Sequence, residues 1–190
     1  HRIAIVEVMG RHSGYIALGA AYGQPDVILL PEQPLNMPAL VERVCQIYDH
    51  QKNVVIVVGE GIVDAQGQEL GARQVSTDPS GNTILQGAAE ALRAQLVDLI
   101  GDDFFRQTGR VDTAARAIFT RKVGHTQRGG RPLKFDRYQG SQLGGQAMDM
   151  IVAGESNSFA ALQWNEADGF SVESLDTRVL RGEDGVIHAR

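Results

Sequence analysis

The run Gly124-His125-Thr126-Gln127-Arg128-Gly129-Gly130 sets an imidazole and a guanidinium three residues apart inside a glycine-rich turn. Arginine presents a rigid fork of donors that matches phosphate oxygens, where lysine would meet them as a point charge. Histidine can donate or accept near neutral pH. The glycines after Arg128 permit backbone angles closed to other residues and let the main chain approach a ligand closely. The plain alternative is a solvated turn with a chance arginine. Against it, Arg121, Lys122, Arg128, Arg131, Lys134 and Arg137 crowd into seventeen residues of a chain whose net charge is −5. The turn therefore reads as a site for a small anion of the phosphate type.

Two further runs carry groups suited to the same ligand. Met9-Gly10-Arg11 offers a second guanidinium, and Gly59-Glu60-Gly61 places a carboxylate between glycines. A glutamate among arginines is either an acceptor for sugar hydroxyls or an ordinary solvated loop residue, and both readings stand at this point.

These groups need elements to position them, and the hydrophobic pattern supplies them. Residues 3–8, 27–30 and 54–58 are short apolar, β-branched runs and predict buried strands. Between them, helices are predicted over about 13–22 and 38–50, the second with Pro38 in its first turn. Strand alternating with helix implies parallel pairing with right-handed crossovers. Residues 64–83 are rich in Gly, Gln, Asp, Ser and Pro and read as an excursion or hairpin. A helix over about 85–100 follows, broken by Gly101-Asp102-Asp103, and then a strand over 117–123. Ser141 to Ala153 predicts a helix with Leu143, Ala147, Met150 and Ile151 on a core face, and 159–164 a last strand. The final twenty residues are polar and read as a surface tail. Met9-Gly10-Arg11, Gly59-Glu60-Gly61 and the Gly124 turn would each leave the carboxyl end of a strand. A parallel sheet gathers such ends along one rim, where ligands bind.

Composition narrows the class. With 43% hydrophobic residues and an acidic balance, the chain has no general affinity for nucleic acid or anionic membrane. The basic stretch 121–137 lacks the interleaved aromatics of a nucleic-acid surface. No apolar run approaches a membrane span and no secretory signal is visible, so a cytoplasmic protein is expected. The single cysteine, Cys45, excludes an internal disulfide and reads as a small buried hydrophobe. The chain opens on His1-Arg2 and an apolar strand without an initiator methionine, which reads as a start inside a longer protein.

Glu7-Val8-Met9-Gly10-Arg11 with Gly14, then Pro31-Glu32, Val57-Val58-Gly59-Glu60-Gly61, and Gly124 to Gly130 followed by Pro132 and Phe135-Asp136-Arg137 resembles the phosphofructokinase family. The order and spacing are similar to its carboxyl-terminal, sugar-phosphate half over nearly the whole chain. The resemblance implies a three-layer α/β sandwich with a mainly parallel sheet, one half of a two-domain fold. It implies a substrate-binding domain over 1–175 with an insertion at about 62–115, and a polar tail over 176–190.

The activity implied is phosphoryl transfer to the 1-hydroxyl of fructose 6-phosphate, a step of glycolysis. Arg11 resembles the catalytic arginine near the transferring phosphoryl group, with Met9 and Gly10 beside the sugar. Glu60 resembles the carboxylate that holds sugar hydroxyls, and His125 and Arg128 resemble ligands of the 6-phosphate. Arg2 matches an arginine that reaches across a subunit interface, which implies a homo-oligomer, a dimer or tetramer. The family's second cross-subunit arginine falls here on Phe119, and Arg121 is the nearest substitute. Residues Asp49, Gln51 and Lys52 stand where regulated bacterial members carry effector-binding lysines, so a nucleotide effector site is not expected. No metal ligand is assigned in this chain. Magnesium with ATP or pyrophosphate would bind mainly in an amino-terminal half that the chain lacks, and the chain alone is expected to bind sugar phosphate without turnover. A non-catalytic sensor of sugar phosphates is the rival reading, opposed by Arg11.

Overall fold

The computed structural model describes residues 2–71, 87–107, 113–167 and 169–182. Contacts divide the chain into two units, His1–Arg128 and Gly129–Arg190.

In the first unit, β1 (Arg2–Val8), β2 (Val27–Leu29), β3 (Asn53–Gly59) and β4 (Ile118–Lys122) form one sheet in the order β2-β3-β1-β4. Every pairing is parallel, with Val8 opposite Gly59 and Glu7 opposite Lys122. Because side chains alternate along a strand, Ile3 and Ile5 of β1 join Val54, Ile56 and Val58 of β3 on one face. That face is covered by α2 (Met37–Gln51), α3 (Ala88–Gln107) and the single turn α4 (Ala114–Ala117). Tyr48 of α2 meets Phe105 of α3 edge-on, with ring centroids 5.2 Å apart. The opposite face places Val8 and Val57 against Ala17 of α1 (Tyr15–Gly19). Helices on both sides of the sheet make the three layers that the family resemblance implies.

Local chemistry explains the element boundaries. Asn36 caps α2 by accepting from the Ala39 amide at 3.1 Å, and Pro38 lies in the first turn. The helix predicted over 13–22 is shorter than expected: α1 yields at once to a 3-10 turn over Ala20–Gly23. Gly101 interrupts α3 as expected, with φ 71 and ψ 166, but the chain resumes helical form to Gln107. The predicted start of α3 at Leu85 lies outside the described residues, as does most of the 64–83 excursion. Its beginning is a tight turn in which Asp64 Oδ1 accepts from the amides of Gln66 and Gln68, each at 2.9 Å. Cys45 is half-buried rather than buried, and partial burial pushes its thiol pKa up.

The second unit packs α5 (Lys134–Val152) on an antiparallel hairpin of β5 (Ser158–Asn165) and β6 (Gly169–Asp176). Three expectations change here. The helix starts at Lys134, seven residues before the predicted Ser141, because Asp136 Oδ2 accepts from the Leu133 amide at 2.9 Å and anchors the first turn. Met150 is buried, but Ile151 of the expected core face is 69% exposed. Residues 171–176, the first of the expected surface tail, instead complete β6, which pairs with β5 along its whole length, and a 3-10 turn covers Thr177–Leu180; the tail from 183 onward lies outside the described residues.

Candidate functional site

Parallel pairing brings the carboxyl ends of β1, β3 and β4 to one rim, since Val8 stands opposite Gly59 and Glu7 opposite Lys122. The loop after β1 and the turn after β3 are clasped there. The Glu60 amide donates to Val8 O at 3.0 Å, and the Gly61 amide donates to Gly10 O at 3.2 Å. The Gly10 amide points back to Glu60 Oε1 at 3.3 Å. Glycine is required at both contacts. A Cβ at Gly61 would lie 1.7 Å from Arg11 O, and one at Gly10, where φ is +134, would lie 2.4 Å from Ser13 O. Arg11 and Glu60, separated by forty-nine positions in sequence, are thereby fixed as backbone neighbours.

Arg11 is half-buried, and its Nε is buried without a hydrogen-bond partner among the described residues. An unpaired buried donor costs about 1–3 kcal/mol, so an anion's oxygen at that position would be stabilised. The loop is braced from outside by Glu32, whose Oε1 accepts from the Gly14 amide at 2.7 Å.

The third turn leaves β4 at the same rim. Val123 donates to Glu7 O at 2.9 Å, and the chain then winds through a 3-10 turn over Gly124–Arg128. Thr126 Oγ1 closes it on Val123 O at 2.5 Å. The His125 side chain is exposed. Arg128 ends the turn, and its side chain lies outside the described residues.

Met9, Gly10, Arg11, Glu60 and the His125 turn are thus gathered at one edge, and Arg2 is not. It begins β1, six residues and about 20 Å from Val8 at the usual strand rise. Its guanidinium lies 5.8 Å from the Phe119 ring centre, and that of Arg121 lies 5.1 Å from the same ring. Phe119 therefore gathers both candidate cross-subunit arginines by cation–π contact. Arg121 Nη1 also donates to Thr120 O at 2.8 Å.

One buried charge behind the rim carried no role in the sequence reading. Glu7 shares the core face of β1 with Ile3 and Ile5 and is 2% exposed. The signal was present as a carboxylate in an otherwise apolar strand. Among the described residues, no three His, Cys, Asp or Glu side chains converge as metal ligands. No described helix is long and apolar enough to cross a membrane.

A parallel α/β sheet with arginine, glutamate and a basic glycine turn at its carboxyl rim places the class of the chain among α/β domains of open parallel-sheet type, in which that rim is the usual place for a ligand. The family model described as Phosphofructokinase matches residues 1–151. The chain is 35% identical over 164 residues to the pyrophosphate–fructose 6-phosphate 1-phosphotransferase of Amycolatopsis methanolica, covering 86% of this chain and 44% of that protein. It is 33% identical over 177 residues to ATP-dependent 6-phosphofructokinase 2 of Clostridium perfringens, covering 92% and 44%. Among solved structures, the pyrophosphate-dependent phosphofructokinase of Marinobacter aquaeolei aligns with a TM-score of 0.60 at 26% identity, covering 92% of this chain and 39% of that one. The chain belongs to the phosphofructokinase family. It spans less than half the length of these relatives.

Proposed function

We propose that this chain is the carboxyl-terminal, fructose 6-phosphate-binding half of a 6-phosphofructokinase, and that the whole protein transfers a phosphoryl group to the sugar's 1-hydroxyl. The observation that carries this reading is the clasp of Arg11 to Glu60 at the rim that also bears the His125 turn. His125 and Arg128 take the 6-phosphate, and Glu60 accepts from sugar hydroxyls, with Met9 and Gly10 beside the ring. Arg11 faces the transferring phosphoryl group, where its charge offsets developing negative charge. Arg2 and Arg121, held at Phe119, serve the site of a second copy in a homo-oligomer.

The rim does not suit magnesium. Its described side chains include the Arg11 guanidinium, the His125 imidazole and the Glu60 carboxylate, and among the described residues no three His, Cys, Asp or Glu side chains converge as metal ligands. We assign the metal and the phosphoryl donor, ATP or pyrophosphate, to polypeptide beyond this chain. The chain alone then binds fructose 6-phosphate without turning it over, and turnover by the purified 190-residue chain would refute that assignment.

Titration calorimetry with fructose 6-phosphate tests the site. Arg128→Ala should weaken binding roughly 10- to 150-fold, the equivalent of a charge-assisted hydrogen bond of about 1.5–3 kcal/mol. Unchanged affinity would mean that the turn does not hold the phosphate.

A further inference from the structure

A carboxylate on the core face of a central strand is costly unless its partners hold it. An apolar residue at position 7 would continue the Ile3–Ile5 pattern, yet the chain carries Glu7, and its contacts all lead to the rim. Oε2 accepts from the Ala89 amide at 2.9 Å, at the start of α3, where the helix dipole favours negative charge. Oε1 lies 2.9 Å from Nζ of Lys122, the last residue of β4, whose side chain is half-exposed while that of Glu7 is buried. That contact is a pairing of charges, off the angle of a directed hydrogen bond. The backbone carbonyl of Glu7 accepts from Val123, which opens the His125 turn.

The other end of the connection reaches Glu60. Gly71 packs so closely that a Cβ there would lie 3.3 Å from Ala88 N and 3.5 Å from Glu60 O. Gly71 therefore lies between the start of α3 and the Glu60 carbonyl, and Glu7 grips that start. The helix is also joined to β4 by Arg93, whose Nε donates to Ile118 O at 2.7 Å, and by a hydrogen bond from Thr120 Oγ1 to Glu90.

We infer that Glu7 is a positioning residue: by pairing with Lys122 and with the first turn of α3, it sets the His125 and Glu60 turns relative to each other. The inference rests on the proposed reading of those turns as the sugar-phosphate site. A purely structural Glu7 would change stability alone.

The test uses Glu7→Gln, which keeps the side-chain volume and an acceptor for the Ala89 amide but withdraws the charge from Lys122. Lys122→Met breaks the same pair from a half-exposed position, so it guards against a variant that fails to fold. Each should weaken fructose 6-phosphate binding roughly 10- to 100-fold, the order of one charge-assisted hydrogen bond lost when the turn that supplies it moves. The double variant should be no weaker than the worse single one, because both act through one contact. The His125 ring resonances in the ligand-free protein should move together in both single variants. Additive losses, or unchanged affinity with unchanged His125 resonances, would overturn the inference. Should the wild-type protein itself fail to bind fructose 6-phosphate, the proposed function falls, and the His125 resonances alone decide: a shared displacement supports the positioning role and none refutes it.

Discussion

An alanine at position 61 would put its Cβ 1.7 Å from the carbonyl oxygen of Arg11, where real Cβ contacts essentially never fall below 3.0 Å. The shortfall of about 1.3 Å has no flexible side chain to absorb it, because the opposing atoms are the oxygen, carbonyl carbon and Cα of Arg11. Either the loop after β1 or the turn after β3 must move, and the hydrogen bond from the Gly61 amide to Gly10 O must stretch with it. Overpacking of this kind costs roughly 1–3 kcal/mol of stability. The larger effect should fall on the site, since moving Arg11 against Glu60 loosens charge-assisted hydrogen bonds to the ligand worth about 1.5–3 kcal/mol each, roughly 10- to 150-fold in affinity. Gly61→Ala should therefore show a modest fall in Tm and a much larger loss of fructose 6-phosphate affinity in calorimetry. Gly19→Ala is the control, because a Cβ there meets nothing within 4 Å. Wild-type affinity in Gly61→Ala would refute the claim that the clasp between the two loops shapes the site.

Two further outcomes concern the rest of the chain. Phe105 is fully buried against Tyr48, so Phe105→Ala should cost about 3–5 kcal/mol, read as a fall in the denaturation midpoint, and leave the chemistry of the rim untouched. Asp176 in the second unit has its carboxyl pKa lowered to about 2, first by the side-chain hydrogen bond from Arg178 and then by the Arg178 amide. The folded value is depressed, so the turn's contribution is present above the unfolded value of 3.8 and lost as pH falls through about 2. An NMR titration of Asp176 should show that low midpoint, and Arg178→Ala should return it toward the ordinary carboxylate range.

The sheet was legible because β1 and β3 are continuous apolar runs, and a parallel sheet buried on both faces demands such runs. From that alone the convergence of Arg11, Glu60 and the His125 turn followed, since parallel strands share a carboxyl rim. What stayed hidden depended on partners distant in sequence. Glu7 reads as an anomaly in β1 until the Ala89 amide, eighty-two positions away, is brought to it. The Gly169–Asp176 stretch mixes Ser, Glu and Asp with Phe, Val and Leu, and becomes a strand because β5 offers an edge to pair with. The start of α5 was obscured by Gly140, a poor helix former that the surrounding turns carry along. The grouping of Arg2 with Arg121 rests on the register that sets Ala4 beside Phe119, which no local pattern encodes.

The central place of β1 also bears on how the molecule reaches its native state. β1 pairs with β3 about fifty positions away and with β4 about one hundred and fifteen away, so its two neighbours arrive from widely separated parts of the chain. Closing such long loops precedes any reward from the contacts they bring, which makes folding of parallel sheets slow. The clasp of Gly10 to Gly61 needs the first pairing, and the seating of the His125 turn needs the second. Sugar-phosphate affinity should consequently appear only in the last phase of refolding, after helical signal has already returned.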